Sequence, residues 1–206
     1  MNDELFGQNV SRETYDKLRG YEALIQKWNP SINLVAKSTL SDIWNRHIID
    51  SAQVYFAAFG EKSSIWTDIG SGGGLPGIVI ATLAQGADQQ TNVTMVESDR
   101  RKSVFLRTAI RELGLSRAKV INERIESAQI PISDIVSARA LAPLTDLFAL
   151  SREFSDQNTT FLFQKGENWA SEIEMAQNHW SFDYDAIKSE TDSNAVILKI
   201  RGFSRV

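Results

Sequence analysis

The 206-residue sequence predicts an α/β fold built on a doubly wound, mostly parallel sheet, with a helical segment in front of it and an antiparallel hairpin at its end. Three observations carry that reading. The apolar spacing changes from three- and four-residue steps to short apolar runs near residue 63. Those runs then alternate with helical stretches. Finally, the last two runs lie close enough together to pair as a hairpin.

Tyr15, Leu18, Tyr21, Leu24, Ile25 and Trp28 recur at helical spacing and form one buried stripe of an amphipathic helix. Asn29-Pro30 is expected to end it, since the residue before a proline is pushed out of the α region. Ser41 or Asp42 caps a second helical stretch that carries Ile43, Trp44, His47, Ile48, Ile49, Ala52 and Tyr55 to Phe59 and stops at Gly60. No strand signal interrupts this part. Residues 1–62 therefore read as a helical N-terminal extension packed on a core formed by residues 63–206.

Ile65 to Ile69 is a short apolar run ending in a glycine cluster, and Pro76 to Gln85 follows as an apolar helix. The strand–helix rhythm then repeats. Val93 to Val96 precedes a basic helix from Asp99 to Leu113, and Lys119 to Ile121 precedes a short helical turn. Asp134 to Val136 precedes a helix from about Pro143 to Phe154, and Thr160 to Phe163 one from about Glu167 to Gln177. Such alternation implies right-handed crossovers between parallel strands. Phe182 to Lys188 and Ala195 to Ile200 close the sheet as the hairpin.

Composition narrows the function. Apolar residues make up 42% and charged residues 23%, as in an ordinary globular protein. There are no cysteines, which excludes disulfides, thiolate metal sites and a cysteine nucleophile, and no metal is expected. No stretch approaches the roughly 20 apolar residues of a membrane span. The first residues do not run from basic to apolar as a leader does, so a cytoplasmic location away from membranes is expected. The net charge is −4, yet residues 99 to 124 hold eight basic side chains against three acidic ones. Screening makes such a local surplus count for more than the net value, so this helix reads either as a solvated face or as a phosphate-binding one.

The turn Asp68-Ile69-Gly70-Ser71-Gly72-Gly73-Gly74-Leu75-Pro76-Gly77 sits at the predicted switch point of the sheet, where ligands bind. Gly72-x-Gly74-x-x-Gly77 satisfies the dinucleotide fingerprint, so a nicotinamide or flavin enzyme is one reading. Asp68-x-Gly70-x-Gly72-x-Gly74 fits better with a zwitterionic ligand that carries no phosphate, because Asp68 brings a carboxylate to the strand end. S-adenosylmethionine is such a ligand. Glu97 ends the next strand, placed to accept both ribose hydroxyls of an adenosine, which suits either cofactor. No Gly-Lys-Ser/Thr follows the glycines, so a Walker loop is excluded.

Trp28-Asn29-Pro30-Ser31-Ile32-Asn33-Leu34, Arg46-His47-Ile48-Ile49-Asp50-Ser51, the glycine turn with Leu75-Pro76-Gly77, Glu97-Ser98 followed by Arg101-Lys102, and Ser137-Ala138-Arg139-Ala140 together carry a family likeness. With these blocks the sequence resembles the bacterial 16S ribosomal RNA guanine-N7 methyltransferases, also called the glucose-inhibited division protein B family. The likeness runs from about residue 10 to the C-terminus. It implies a Rossmann-like class I S-adenosylmethionine-dependent methyltransferase acting on guanine 527 of 16S rRNA or of a small-subunit precursor. It also implies cofactor contacts from Gly70, Leu75, Ile125, Glu126 and Arg139, to which the residue reading adds Asp68, Ser71, Gly72 and Glu97. Ile125 is expected on the adenine face and the Glu126 backbone at its edge.

Absences point the same way. Methylation at C5 of a pyrimidine usually requires a cysteine, and transfer to an exocyclic amine usually shows Asp/Asn-Pro-Pro-Tyr/Phe after the fourth strand, where this chain has Ser137-Ala138-Arg139-Ala140. Guanine N7 offers a lone pair with no proton to remove, so positioning suffices and no catalytic side chain is expected. RNA contacts are expected from Arg46, His47, Arg100, Arg101, Lys102 and Lys165. A nicotinamide-dependent oxidoreductase and a non-catalytic, cofactor-sensing RNA-binding protein are the rival readings.

Overall fold

The computed structural model describes residues 3–5 and 8–206, and it opens with a short antiparallel hairpin, β1 (Asp3–Leu5) and β2 (Gln8–Val10). The helical reading of this segment did not include that hairpin, since strands of three residues are too short to show an alternating pattern. Ser11 then caps α1 (Arg12–Ile32), its hydroxyl accepting the Thr14 N–H at 3.1 Å. Leu18, Tyr21 and Ile25 of its stripe are fully buried.

The helix does not stop at Asn29-Pro30. Pro30 removes one N–H, but the last turn is kept by the Asn33 N–H on the Asn29 carbonyl, and the helix ends at Asn33 in the left-handed region. The second helical stretch is less regular than expected. A 3₁₀ turn (Lys37–Asp42) and a π-helical turn (Trp44–Ile49) lead into α2 (Asp50–Ala57), with the Asp50 N–H reaching back to the Asn45 carbonyl.

The large sheet contains β3 (Ile65–Ile69), β4 (Asn92–Val96), β5 (Ala118–Ile121), β6 (Ile135–Arg139), β7 (Thr160–Lys165), β8 (Trp180–Lys188) and β9 (Val196–Arg205) in the spatial order β5-β4-β3-β6-β7-β9-β8. The first five are parallel and the last two antiparallel. The helices are α3 (Gly77–Gly86), α4 (Arg100–Glu112), α5 (Leu144–Ser151) and α6 (Trp169–Gln177). The chain winds outward from β3 to β5 and returns to β6, so β3 and β6 flank the switch point.

Side chains alternate between two apolar cores, as expected of strands covered on both faces. Trp66, Ile135 and Leu162 join α1, α3 and α4 on one side, where Leu18, Tyr21 and Ile25 lie in one cluster with Ile78, Phe105 and Leu106. Ile69, Val136 and Phe163 join α5 and α6 on the other.

Candidate active site

The glycine turn is held from behind. Asp68 pairs in register with Ser137 across β3 and β6, and its buried carboxylate accepts the Ser137 hydroxyl at 2.8 Å on Oδ1 and the Gly77 N–H at 3.2 Å on Oδ2. Ser137 in turn accepts the Trp66 indole N–H at 3.0 Å. Burial pushes the Asp68 pKa up to about 6, against the opposing pull of Ser137, Gly77 and Arg139. A Cβ at Gly77 would lie 2.8 Å from Asp68 Oδ2, so only glycine lets the start of α3 approach this carboxylate. The N-terminus of α3 thus already carries an anion, and it belongs to the protein. From the other side, the Tyr21 hydroxyl of α1 donates to the Gly73 carbonyl.

In front of the turn is a cleft of about 410 Å³, lined by Gly70, Gly72, Glu97, Lys102, Ile125 and Glu126 among others. Glu97 is nearly buried; its Oε2 accepts the Gly72 N–H at 2.8 Å and its Oε1 the Asp99 N–H at 2.7 Å. Each oxygen keeps a second lone pair for a hydroxyl group. Gly70 has φ +63°, and a Cβ there would meet Leu141 Cδ1 at 2.5 Å. Leu141 therefore leans directly over the turn. The residue reading did not single it out; its only sequence signal is an apolar side chain just past β6.

Five expected cofactor residues line this cleft: Gly70, Gly72, Glu97, Ile125 and Glu126. The other four do not line it. Asp68, Ser71 and Leu75 are buried within or behind the turn and build it without reaching the cleft surface. Arg139 is the last residue of β6, and its side chain faces a second cleft. The two clefts meet at Ala140, which lines both and stands in the left-handed region at φ +51°.

The second cleft, of about 190 Å³, is bounded by the π-helical turn, the ends of β6 and β7, and the turn between β8 and β9. Arg139 and Gln164 are register partners and both face it. Arg139 Nη1 donates to His47 Nδ1 at 3.1 Å and to Asp50 Oδ2 at 3.2 Å. A guanidinium only donates, so His47 Nδ1 accepts and Nε2 carries the proton, which it gives to Thr39 Oγ1 at 2.7 Å. Burial first, then the charges of Arg139 and Arg46, hold the His47 pKa at about 4, and the ring is neutral at pH 7. Asp50 also accepts from Gln164 Nε2 at 2.7 Å and Thr191 Oγ1 at 2.9 Å.

Two residues expected at the RNA also hold partners inside the protein. His47 is bonded at both ring nitrogens, and the buried Lys165 ammonium holds Glu172 and the Ala142 carbonyl, each at 2.7 Å. Lys165 also lines the second cleft, and the partners of both residues are invisible along the sequence. Arg46 is exposed and pairs with Asp192 at 3.4 Å, Arg100 and Arg101 are exposed at the start of α4, and Lys102 borders the first cleft. Among the described residues no helix is long and apolar enough to cross a membrane, and no group of three His, Cys, Asp or Glu side chains is placed to hold a metal ion.

Comparison with known proteins agrees with this architecture. A methyltransferase structure from Geobacter sulfurreducens superposes with a TM-score of 0.61 at 15% identity, covering 90% of this chain and 88% of that one. M. jannaschii TYW2 in complex with AdoMet gives 0.55 at 14% identity, covering 78% and 76%. At these identities the likeness establishes the fold, that of the class I methyltransferases. The ribosomal RNA small subunit methyltransferase G of Ruegeria sp. (strain TM1040) is 48% identical over 198 residues, 96% of this chain and 95% of the relative. The profile of the GidB family, described as rRNA small subunit methyltransferase G, matches residues 14–196. The chain belongs to the rRNA small subunit methyltransferase G family.

Proposed function

We propose that the protein transfers the methyl group of S-adenosylmethionine to N7 of guanine 527 in 16S ribosomal RNA, on the free RNA or a small-subunit precursor. Family membership supports methyl transfer to small-subunit rRNA. One observation carries the choice of cofactor: the N-terminus of α3 is taken by Asp68, while Glu97 lines an open cleft. A dinucleotide places its pyrophosphate on that N-terminus, where the Asp68 carboxylate would repel it. An adenosyl ligand without phosphate meets no such conflict.

S-adenosylmethionine supplies an electrophilic methyl group on a sulfonium. Glu97 would hold the ribose hydroxyls, Gly70 and Gly72 would let the ligand approach the backbone, and Ile125 and Glu126 would border the adenine. Asp68, Ser71 and Leu75 act from behind by fixing the turn. Guanine N7 needs no proton removed, so alignment of its lone pair is the main demand on the protein. Arg46, Arg100, Arg101 and Lys102 supply positive charge for phosphates near the clefts.

Calorimetric titration with S-adenosylhomocysteine and with NAD tests the cofactor, and mass mapping of methylated guanines in rRNA from cells with and without the protein tests the product. Micromolar binding of the sulfur compound and one N7-methylguanine present only with the protein are expected. Binding of NAD alone, or an unchanged methylation map, overturns the reading.

A further inference from the structure

We propose that the N-terminal extension is part of the cofactor site, with Tyr21 and Asn29 as positioning residues that hold the glycine turn in the shape Glu97 and the ligand require. This rests on the S-adenosylmethionine reading above and adds two residues to it.

Contact is the first argument. The extension grips one residue of the turn, Gly73, at its carbonyl and at its α-carbon. The hydroxyl of the fully buried Tyr21 donates to the Gly73 carbonyl. A Cβ at Gly73 would lie 3.2 Å from Leu34 Cβ and 3.3 Å from the Leu34 carbonyl oxygen, so the turn rests directly against the chain that follows α1. Gly74 is enclosed as well, since a Cβ there would come within 2.7 Å of the Tyr21 hydroxyl and 2.8 Å of Leu106 Cδ2. At Gly72, by contrast, a Cβ would meet only the Gly70 carbonyl, at 3.8 Å, among the described residues, and Gly72 lines the first cleft. The grip ends one residue short of the ligand space.

The second argument is how Leu34 comes to lie there. The Asn29 carbonyl accepts the Asn33 N–H at 3.0 Å, and its side-chain Oδ1 accepts the Val35 N–H at 2.8 Å. One buried residue thereby fixes both flanks of Leu34, while Asn33 in the left-handed region turns the chain out of α1. Trp28 and Tyr21 both pack on Phe105, with ring centroids 5.7 and 6.4 Å away, and so seat α1 on α4. The four-residue step from Asn29 to Asn33 is one helical turn, which gives the Trp28-Asn29-x-x-x-Asn33-Leu34 block a physical purpose.

The third is the consequence at the cleft. Glu97 is oriented by two backbone donors, Gly72 and Asp99, and the Gly72 N–H belongs to the residue just before the one the extension holds. Asp68 fastens the same turn further on, at Gly77. Freeing Gly73 lets Gly72 shift, and Glu97 then loses one of the two groups that aim its lone pairs at the ribose hydroxyls.

The test is calorimetric titration with S-adenosylhomocysteine, together with steady-state methyl transfer to small-subunit RNA, on two variants and a control. Tyr21→Phe removes the hydroxyl and keeps the ring. Asn29→Ala removes the side-chain acceptor for Val35, and Leu34→Ala replaces it should that variant not fold. Each is expected to weaken S-adenosylhomocysteine binding about 5- to 10-fold and to raise KM for S-adenosylmethionine by the same factor, with kcat and KM for RNA within about twofold of wild type. Ile25→Val, elsewhere on the buried stripe of α1, lowers the urea midpoint without touching the turn, and its affinity should stay within about twofold. Wild-type affinity in Tyr21→Phe and in the second variant overturns the proposal. So does an equal loss in Ile25→Val, which would mean that the extension acts only through overall stability. Absence of S-adenosylhomocysteine binding by the wild type would instead end the cofactor reading itself, and this proposal with it.

Discussion

The two clefts on this sheet edge are built in opposite ways. The first has the glycine turn at Gly70 and Gly72 as its floor and is walled by the segments that follow β4, β5 and β6, with the turn itself held by backbone N–H groups on Glu97 and Asp68. The second is assembled from the π-helical turn, the ends of β6 and β7, and the β8–β9 turn; Asp50 meets Arg139, Gln164 and Thr191 across separations of 89 to 141 residues. Glycine freedom and backbone N–H groups shape the first, whereas the second is shaped by a network of charged and amide side chains. Both clefts need the sheet edge assembled; they differ in whether backbone groups or side-chain pairs fix the residues that line them.

The largest effect that would break this contrast lies behind the first cleft. Asp68 has a folded pKa of about 6, above the ordinary 3.8, so the folded protein takes up this proton before the unfolded chain does. Its contribution to stability is therefore fully present below about pH 4 and is lost as pH rises through 6, a change of roughly 3 kcal/mol. Urea denaturation should show the wild type gaining most of that amount, about 2.4 kcal/mol, relative to Asp68→Asn, which does not titrate, between pH 7 and pH 4. Parallel curves over this window would mean that the turn does not rest on a sealed carboxylate.

Next in size is Glu97→Ala. Removing the carboxylate that faces the first cleft should weaken S-adenosylhomocysteine binding about 10- to 100-fold, or about 1.5–3 kcal/mol. The network around Arg139 should be untouched. Unchanged affinity in a calorimetric titration would remove Glu97 from the ligand's surroundings.

Smallest is Leu141→Ala. The leucine covers the turn at Gly70 and must give way to a ligand there, so truncating it should tighten S-adenosylhomocysteine binding about threefold. Weaker binding would show instead that Leu141 packs on the ligand.

The contrast between the clefts also explains what was legible in the sequence. The five parallel strands, the terminal hairpin, the glycine turn and Glu97 are signalled by local spacing, and the structure has them within a few residues of their expected places. Pro30 misled because proline deletes only one donor, and the Asn33 to Asn29 bond kept the last turn of α1. The pairing of Lys165 is not legible because Glu172, its half-buried partner, belongs to the next helix and gives no sign of reaching back. Nothing in the neighbourhood of Asp50 along the chain shows that Arg139 will come to it.

Residues 139 and 141 are nearly adjacent in the chain yet serve different chambers, because the single peptide unit at Ala140 turns against the usual hand. That unit is a stiff partition with a side chain fixed to each end. A movement of Leu141 that turns the backbone at Ala140 turns the bonds that aim Arg139 as well, whereas a rotation of the leucine side chain alone leaves them in place. Only the first kind of movement would link the two chambers, and any such link would act equally in both directions.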